Sequence, residues 1–226
     1  MIALRWRVAS KPINDGRIKT RRGAGVPALV GLLTLAAALG GCTALQRAPS
    51  EAPNLHLLAA KPMAPTAHPQ RDLVLEVSAP SSWPGFDTSA MAYVQRPYEL
   101  NYFAANRWAD TPARMLGPLL AQALEQSGGF KAVVRTPTGV RPDLRLDTEV
   151  VRLVQDFTAR PSSAEFVLRI QLIDIRGKRV VATKLLVESE PAPTDNPDGG
   201  VTATNVALQR LLQQTVAFCN EESGQR

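Results

Sequence analysis

Between residues 143 and 190 apolar and polar side chains alternate with a period of two, the signature of half-buried strands. Leu144, Leu146, Thr148 and Val150 hold one phase, whereas Val151, Leu153 and Phe157 hold the other. A phase change within one long strand predicts a β-bulge near Val150 and Val151, with added bend and twist. Residues 165–175 alternate again, Arg176, Gly177 and Lys178 supply a tight turn, and 180–187 follow, which together predict a hairpin. Charged side chains on one face of this hairpin and aliphatic ones on the other suit an antiparallel sheet covered on a single side.

Shorter elements precede and follow this region. Leu73, Leu75 and Val77 alternate through a strand at 72–77, and strand-like pieces at 91–95 and 98–103 are separated by Arg96 and Pro97. Thr111 and Pro112 signal a helix start, with the hydroxyl as N-cap and proline at the first helical position. Leu116, Leu119, Leu120, Ala123 and Leu124 then form one apolar stripe that ends at Ser127, Gly128 and Gly129. Pro118 inside the stripe removes a backbone hydrogen bond and predicts a kink or a restart. A strand at 131–135 follows the helix. After a loop at 191–200, a last helix at 201–219 places Thr204, Leu208, Leu211, Leu212, Thr215, Phe218 and Cys219 on one face. The fold class is therefore α+β, a single mostly antiparallel sheet with two helices packed on one face.

The first 41 residues have a different character. Arg5, Arg7, Lys11, Arg17, Lys19, Arg21 and Arg22 against the single acid Asp15 form a basic segment, and an apolar run at 26–39 follows it. That run is shorter than the roughly 20 residues needed to span a bilayer, so it reads as the apolar part of an export signal. A later start codon would shorten the basic segment, and the residues after Arg21 and Arg22 do not support twin-arginine export. Leu39, Gly40, Gly41 and Cys42 look like a bacterial lipobox, in which the cysteine is acylated, for instance with palmitate, and the leader removed. The alternative is an ordinary secretory signal with an incidental cysteine. Thr43 follows Cys42 where an aspartate would resemble an inner-membrane retention signal, so outer-membrane anchoring on the periplasmic face is expected.

Charge and cysteine content change meaning once the leader is set apart. The chain carries a formal charge of +6, but residues 1–41 hold seven basic side chains against one acid, and the remainder is formally neutral. No clustered basic face is left for nucleic acid, which is excluded as a partner. Acylation of Cys42 leaves Cys219 without an intrachain disulfide partner, and its position on an apolar helical face predicts burial. Pro49, Pro53, Pro62, Pro65 and Pro69 mark 43–70 as an extended spacer with a reach on the order of 80 Å. Leu55, Leu57 and Leu58 are its apolar exception, suited to packing on the domain or on a partner. The expected organisation is a signal peptide at 1–41, an anchor and tether at 42–70, and a folded domain at 71–226.

Candidate chemistry is sparse. His56 and His68 are the two histidines and both fall in the spacer, which leaves the domain without a Ser-His-Asp or Cys-His arrangement. No Cys and His pair has zinc spacing, no glycine-rich phosphate loop precedes a helix, and no cofactor or metal is implied. Asp143, Asp147 and Glu149 alternate with the apolar phase of their strand, which puts all three on its solvated face. A non-enzymatic role is expected.

The segment from Met91 to Leu116, with Tyr93, Arg96, Pro97, Tyr98, Tyr102, Arg107 and Trp108, resembles the core signature of the ABC-type transport auxiliary lipoproteins, the PqiC-like family. The likeness continues through the helix to Ser127, Gly128, Gly129 and Phe130, and by pattern through the later strands and helix. It implies an outer-membrane lipoprotein serving an MCE-type ABC transporter, with ATPase, permease and MCE-domain components, that moves lipids between the two membranes. It also implies a tendency to homo-oligomeric rings, and gives no catalytic residue. The matching residues Tyr93, Arg96, Tyr98, Tyr102, Arg107 and Trp108 are either an interface or core packing at the junction of hairpin and helix. A lipid-binding or outer-membrane biogenesis lipoprotein independent of an ABC transporter is the competing reading.

Overall fold

The computed structural model describes residues 52–63 and 69–224. The leader and Cys42 lie outside the described residues. In chain order the elements are β1 (Asn54–His56), β2 (Arg71–Val77), β3 (Ser81–Ser82), β4 (Ala90–Val94), β5 (Asn101–Trp108), α1 (Pro112–Ser127), β6 (Phe130–Arg135), β7 (Leu144–Asp156), β8 (Ser163–Asp174), β9 (Arg179–Pro191) and α2 (Pro197–Ser223). The result is an α+β fold with a mostly antiparallel open sheet and both helices against one face.

β7, β8 and β9 form a long antiparallel meander that supplies most of the paired residues. In it Val150 pairs with Leu168 and Arg152 with Val167, leaving Val151 as the extra residue of a bulge at the position where the hydrophobic phase changes. The bulge lets Leu144, Leu146 and Val150 before it and Leu153 after it enter the same core. The other edge of β7 is shared in turn by β2 at Leu144–Leu146, β3 at Glu149–Val150 and β4 at Gln155–Asp156, each parallel to it. Residues 71–94 thus act as one interrupted strand laid along β7. β6 extends the sheet beyond β2, and β5 and then β1 extend it beyond β4. Parallel pairing requires a long crossover connection, which β5, α1 and β6 provide.

Leu116, Leu120 and Leu124 of α1 meet Leu208, Leu211, Leu212, Phe218 and Cys219 of α2 in one cluster with Leu75, Phe166, Leu168, Ile170 and Leu186 of the sheet. Thr111 holds the N-cap of α1 with extended backbone, but its hydroxyl makes no capping bond. Gly128 closes the helix in the left-handed conformation at φ 68°, its N–H bonding Glu125 O at 3.1 Å. α1 continues through Pro118 without the predicted restart. Pro118 lies on the exposed side of the helix, away from the core.

α2 starts earlier than periodicity predicts. Asn196 is its N-cap, accepting the Gly199 N–H at 2.8 Å, and Pro197 is its first residue. Gly199 belongs to this first turn rather than to the loop, because a Cβ there would stand 2.0 Å from the Thr194 carbonyl oxygen. Farther along, Arg210 bonds Glu190 and Glu188 of β9, and these carboxylates raise its guanidinium pKa. The helix is thereby pinned across the hairpin.

Two expectations are corrected by tertiary contacts. Within the spacer, Asn54–His56 pair in parallel with Asn106–Trp108, and Leu58 is buried in the main core. Side-chain amides of the helices satisfy the following backbone: Asn205 accepts from Ala59 N–H at 3.0 Å, Gln209 from Lys61 N–H at 2.8 Å and Gln126 from Met63 N–H at 2.7 Å. The segment 54–63 is therefore a strap fastened to the fold. Asp143, read as solvent-facing, is buried; its Oδ2 accepts the Val74 N–H at 2.8 Å and its Oδ1 meets Arg176 Nη2 at 2.6 Å. Asp147 and Glu149 do keep exposed surface, beside Arg145 and Arg169.

Asp143 joins β2, the start of β7 and the β8–β9 turn, so Asp143→Ala should lower unfolding free energy by about 2–3 kcal/mol. The surface pair makes Asp147→Ala the control, with a loss below about 1 kcal/mol. Equilibrium denaturant unfolding of the two variants measures the difference.

Candidate functional site

The residues of the aromatic segment separate into three environments. Trp108 ends β5 with its indole in the main core, 4% exposed, and its backbone N–H donates to Ser89 O at 2.8 Å. Tyr93 is half-buried and packs on Phe103 at a centroid distance of 4.5 Å, with Phe157 edge-on at 6.0 Å. These three aromatics hold the β4–β5 hairpin to the end of β7. Tyr102 lies on the outer side, its hydroxyl donating to Gly85 O at 3.0 Å. Gly85 has φ 91°, and a Cβ there would stand 3.1 Å from Leu100 Cδ2. The absence of a side chain at 85 lets its loop close on the hairpin.

The third environment is the turn between β4 and β5. Arg96, Pro97, Tyr98 and Glu99 are exposed, and Arg96 Nη1 approaches Glu99 Oε2 at 3.5 Å across the turn. Tyr98 is fully exposed and sits at φ 66°, a left-handed conformation that is costly for a bulky side chain. A ring held outward on a strained backbone forfeits burial and conformational energy together. Beside it is an open groove of about 460 Å³ lined by Phe86, Val94, Pro97, Tyr98, Leu100 and Arg152. Arg107 is also exposed, but stands apart from this turn, beside Leu55 in the β1–β5 register.

Sequence alone leaves interface and core packing open for these residues, and the fold places Trp108 and Tyr93 in packing and Arg96, Tyr98, Tyr102 and Arg107 at the surface. The alternation within β5 does carry the signal: Asn106 and Trp108 share the side that faces β1 and the core, and Arg107 takes the other. The pairing of the strap was not readable locally because its partners lie on α1, α2 and β5.

Among the described residues, no group of three or more His, Cys, Asp or Glu side chains could hold a metal ion. His56 Nε2 lies 2.9 Å from Asn106 Oδ1 in a structural contact between β1 and β5. Cys219 is fully buried, and desolvation pushes its thiol pKa far up, which disfavours the reactive thiolate. The Asp195 carboxyl is held below its usual range by the Ser162 N–H, which donates to Oδ1 at 2.7 Å. It fixes the loop before α2.

The model of the ABC-type transport auxiliary lipoprotein component family matches residues 55–216, and the chain belongs to that family. Protein XCC0632 from Xanthomonas campestris has a similar fold, with a TM-score of 0.70 and 23% identity over 76% of this chain and 98% of that one. A second crystal structure, described as an uncharacterized protein, aligns with a TM-score of 0.56 and 14% identity over 76% of this chain and 99% of its own. Comparison with curated proteins gave no match.

Packing and surface roles predict opposite effects on stability. Trp108→Ala should cost about 3–5 kcal/mol by opening a core cavity, whereas Tyr98→Gly should raise stability by about 1 kcal/mol by relieving the positive φ. Thermal and denaturant unfolding of both variants gives the comparison.

Proposed function

We propose that the protein is a non-enzymatic docking component of an MCE-type ABC transport system, tethered by acylated Cys42 to the periplasmic face of the outer membrane. In this role it connects the MCE-domain, permease and ATPase components to the membrane and serves lipid traffic between the two membranes and outer-membrane integrity. Family membership supports an auxiliary role in transport, and the family description supports the lipoprotein character. The single observation that carries the docking role is Tyr98, a fully exposed aromatic held at positive φ beside an open groove of mixed apolar and charged lining. Aromatic side chains presented this way supply large contact area with little entropy to lose, which is why they concentrate in binding hot spots. Arg96 at the same turn adds a cation able to pair with a partner's carboxylates.

The anchor and the docking turn have separate tests. Cys42→Ala should abolish palmitate labelling and release the protein from the membrane fraction; retention with labelling would overturn the anchor. A photo-crosslinking side chain at Tyr98 should capture an MCE-domain or permease component in cells. Capture of the chain's own copies alone would assign the turn to a homo-oligomer instead. Genes for an ATPase, a permease and an MCE-domain protein should lie beside this one, and their absence would favour a lipoprotein working without an ABC transporter.

A further inference from the structure

The strap brings two exposed leucines to the point where the folded unit meets its tether. Leu55 and Leu57 are 65% and 62% exposed, whereas Leu58 is 6% exposed in the main core. Residues two apart in an extended segment share a side, so Leu55 and Leu57 point together, away from His56 and Leu58. His56 bonds Asn106 on the inward side, and Asp198 approaches that same ring, its Oδ1 4.0 Å from Nδ1. On the outward side, the register places Arg107 next to Leu55. Lys61, also exposed, follows on the strap.

Chain length selects what covers this surface. Asn54 is twelve positions after Cys42. Even a fully extended chain of that length reaches only about 40 Å, half the span expected for a free spacer up to residue 70. A flexible one spans about 20 Å, close to the radius of gyration of about 16 Å expected for a folded unit of this size. With Cys42 as the anchor, the β1 end of the domain must lie within that reach of the bilayer, and it carries the two exposed leucines.

We infer that the Leu55–Leu57 side of β1 inserts into the membrane interface, making a second, non-covalent contact beside the acylated cysteine. The inference rests on the reading of Cys42 as a lipid anchor. Leucine side chains enter the boundary between headgroups and acyl chains, while Arg107 and Lys61 lay their stems along it and keep their charges at headgroup level. This contact orients the domain as well as tethering it. A lipid anchor alone leaves the domain free to rotate, and a fixed face removes that freedom from the docking turn.

The test uses the full lipoprotein in the envelope of a Gram-negative host, with a benzophenone side chain replacing either Leu57 or Leu185. Leu185 is 56% exposed on β9 and serves as the comparison. Irradiation should give a phospholipid adduct at 57 and none at 185, and Leu55→Asp should abolish the adduct at 57. A protein adduct at 57, no adduct there, or equal lipid adducts at both positions would overturn the inference. Labelled palmitate on the same samples separates the causes. Normal labelling without a lipid adduct at 57 rejects the membrane face alone, whereas absent labelling rejects the anchor and the inference together.

Discussion

β7 is hydrogen-bonded on both edges along much of its length, and the rest of the domain is placed by those two ladders. One edge holds the β8–β9 hairpin in a register interrupted only at Val151. Successive stretches of the other hold β2, β3 and β4, which fixes where the chain between 71 and 94 must run. Because a strand turns every side chain to the opposite face when its register slips by one residue, the bulge is needed to keep both halves of β7 facing one core. The helices then cover that core, and the β4–β5 hairpin projects from the end of β7. The exposed turn at Tyr98 is thus positioned by a rigid sheet, although the turn itself makes few contacts.

The same dependence explains which features local sequence could reveal. A phase change is visible within one strand, so the bulge and the β8–β9 hairpin were legible without knowledge of their partners. α1 was legible from its leucine stripe and its Gly128 cap. The N-terminus of α2 had a readable signal in Asn196, Pro197 and Asp198, obscured by two glycines that resemble a loop. Those glycines belong to the helix because Thr194 and Gln155 press against them.

Asp143 and the strap were illegible for a different reason. A carboxylate alternating with leucines normally faces water, and nothing near Asp143 in sequence discloses that Val74 and Arg176 converge on it. Residues 54–63 have the composition of a linker, and remain backbone-exposed to any local reading. Their amides are satisfied by Asn205, Gln209 and Gln126, polar residues on helices far along the chain. Within the aromatic segment, the family resemblance drew attention to the residues, and only the fold could separate the packed Trp108 and Tyr93 from the exposed Tyr98 and Arg96.

Fastening the strap bears on the proposed anchoring through Cys42. In that proposal a free spacer to residue 70 would let the domain roam, whereas fastening leaves only the residues before Asn54 as tether. Amide hydrogen exchange on the full lipoprotein tests that arrangement most directly. The account predicts slow exchange at Ala59, Lys61 and Met63, whose N–H groups are bonded to helix side chains. Exchange at all three amides at the rate of an unfolded chain would contradict it.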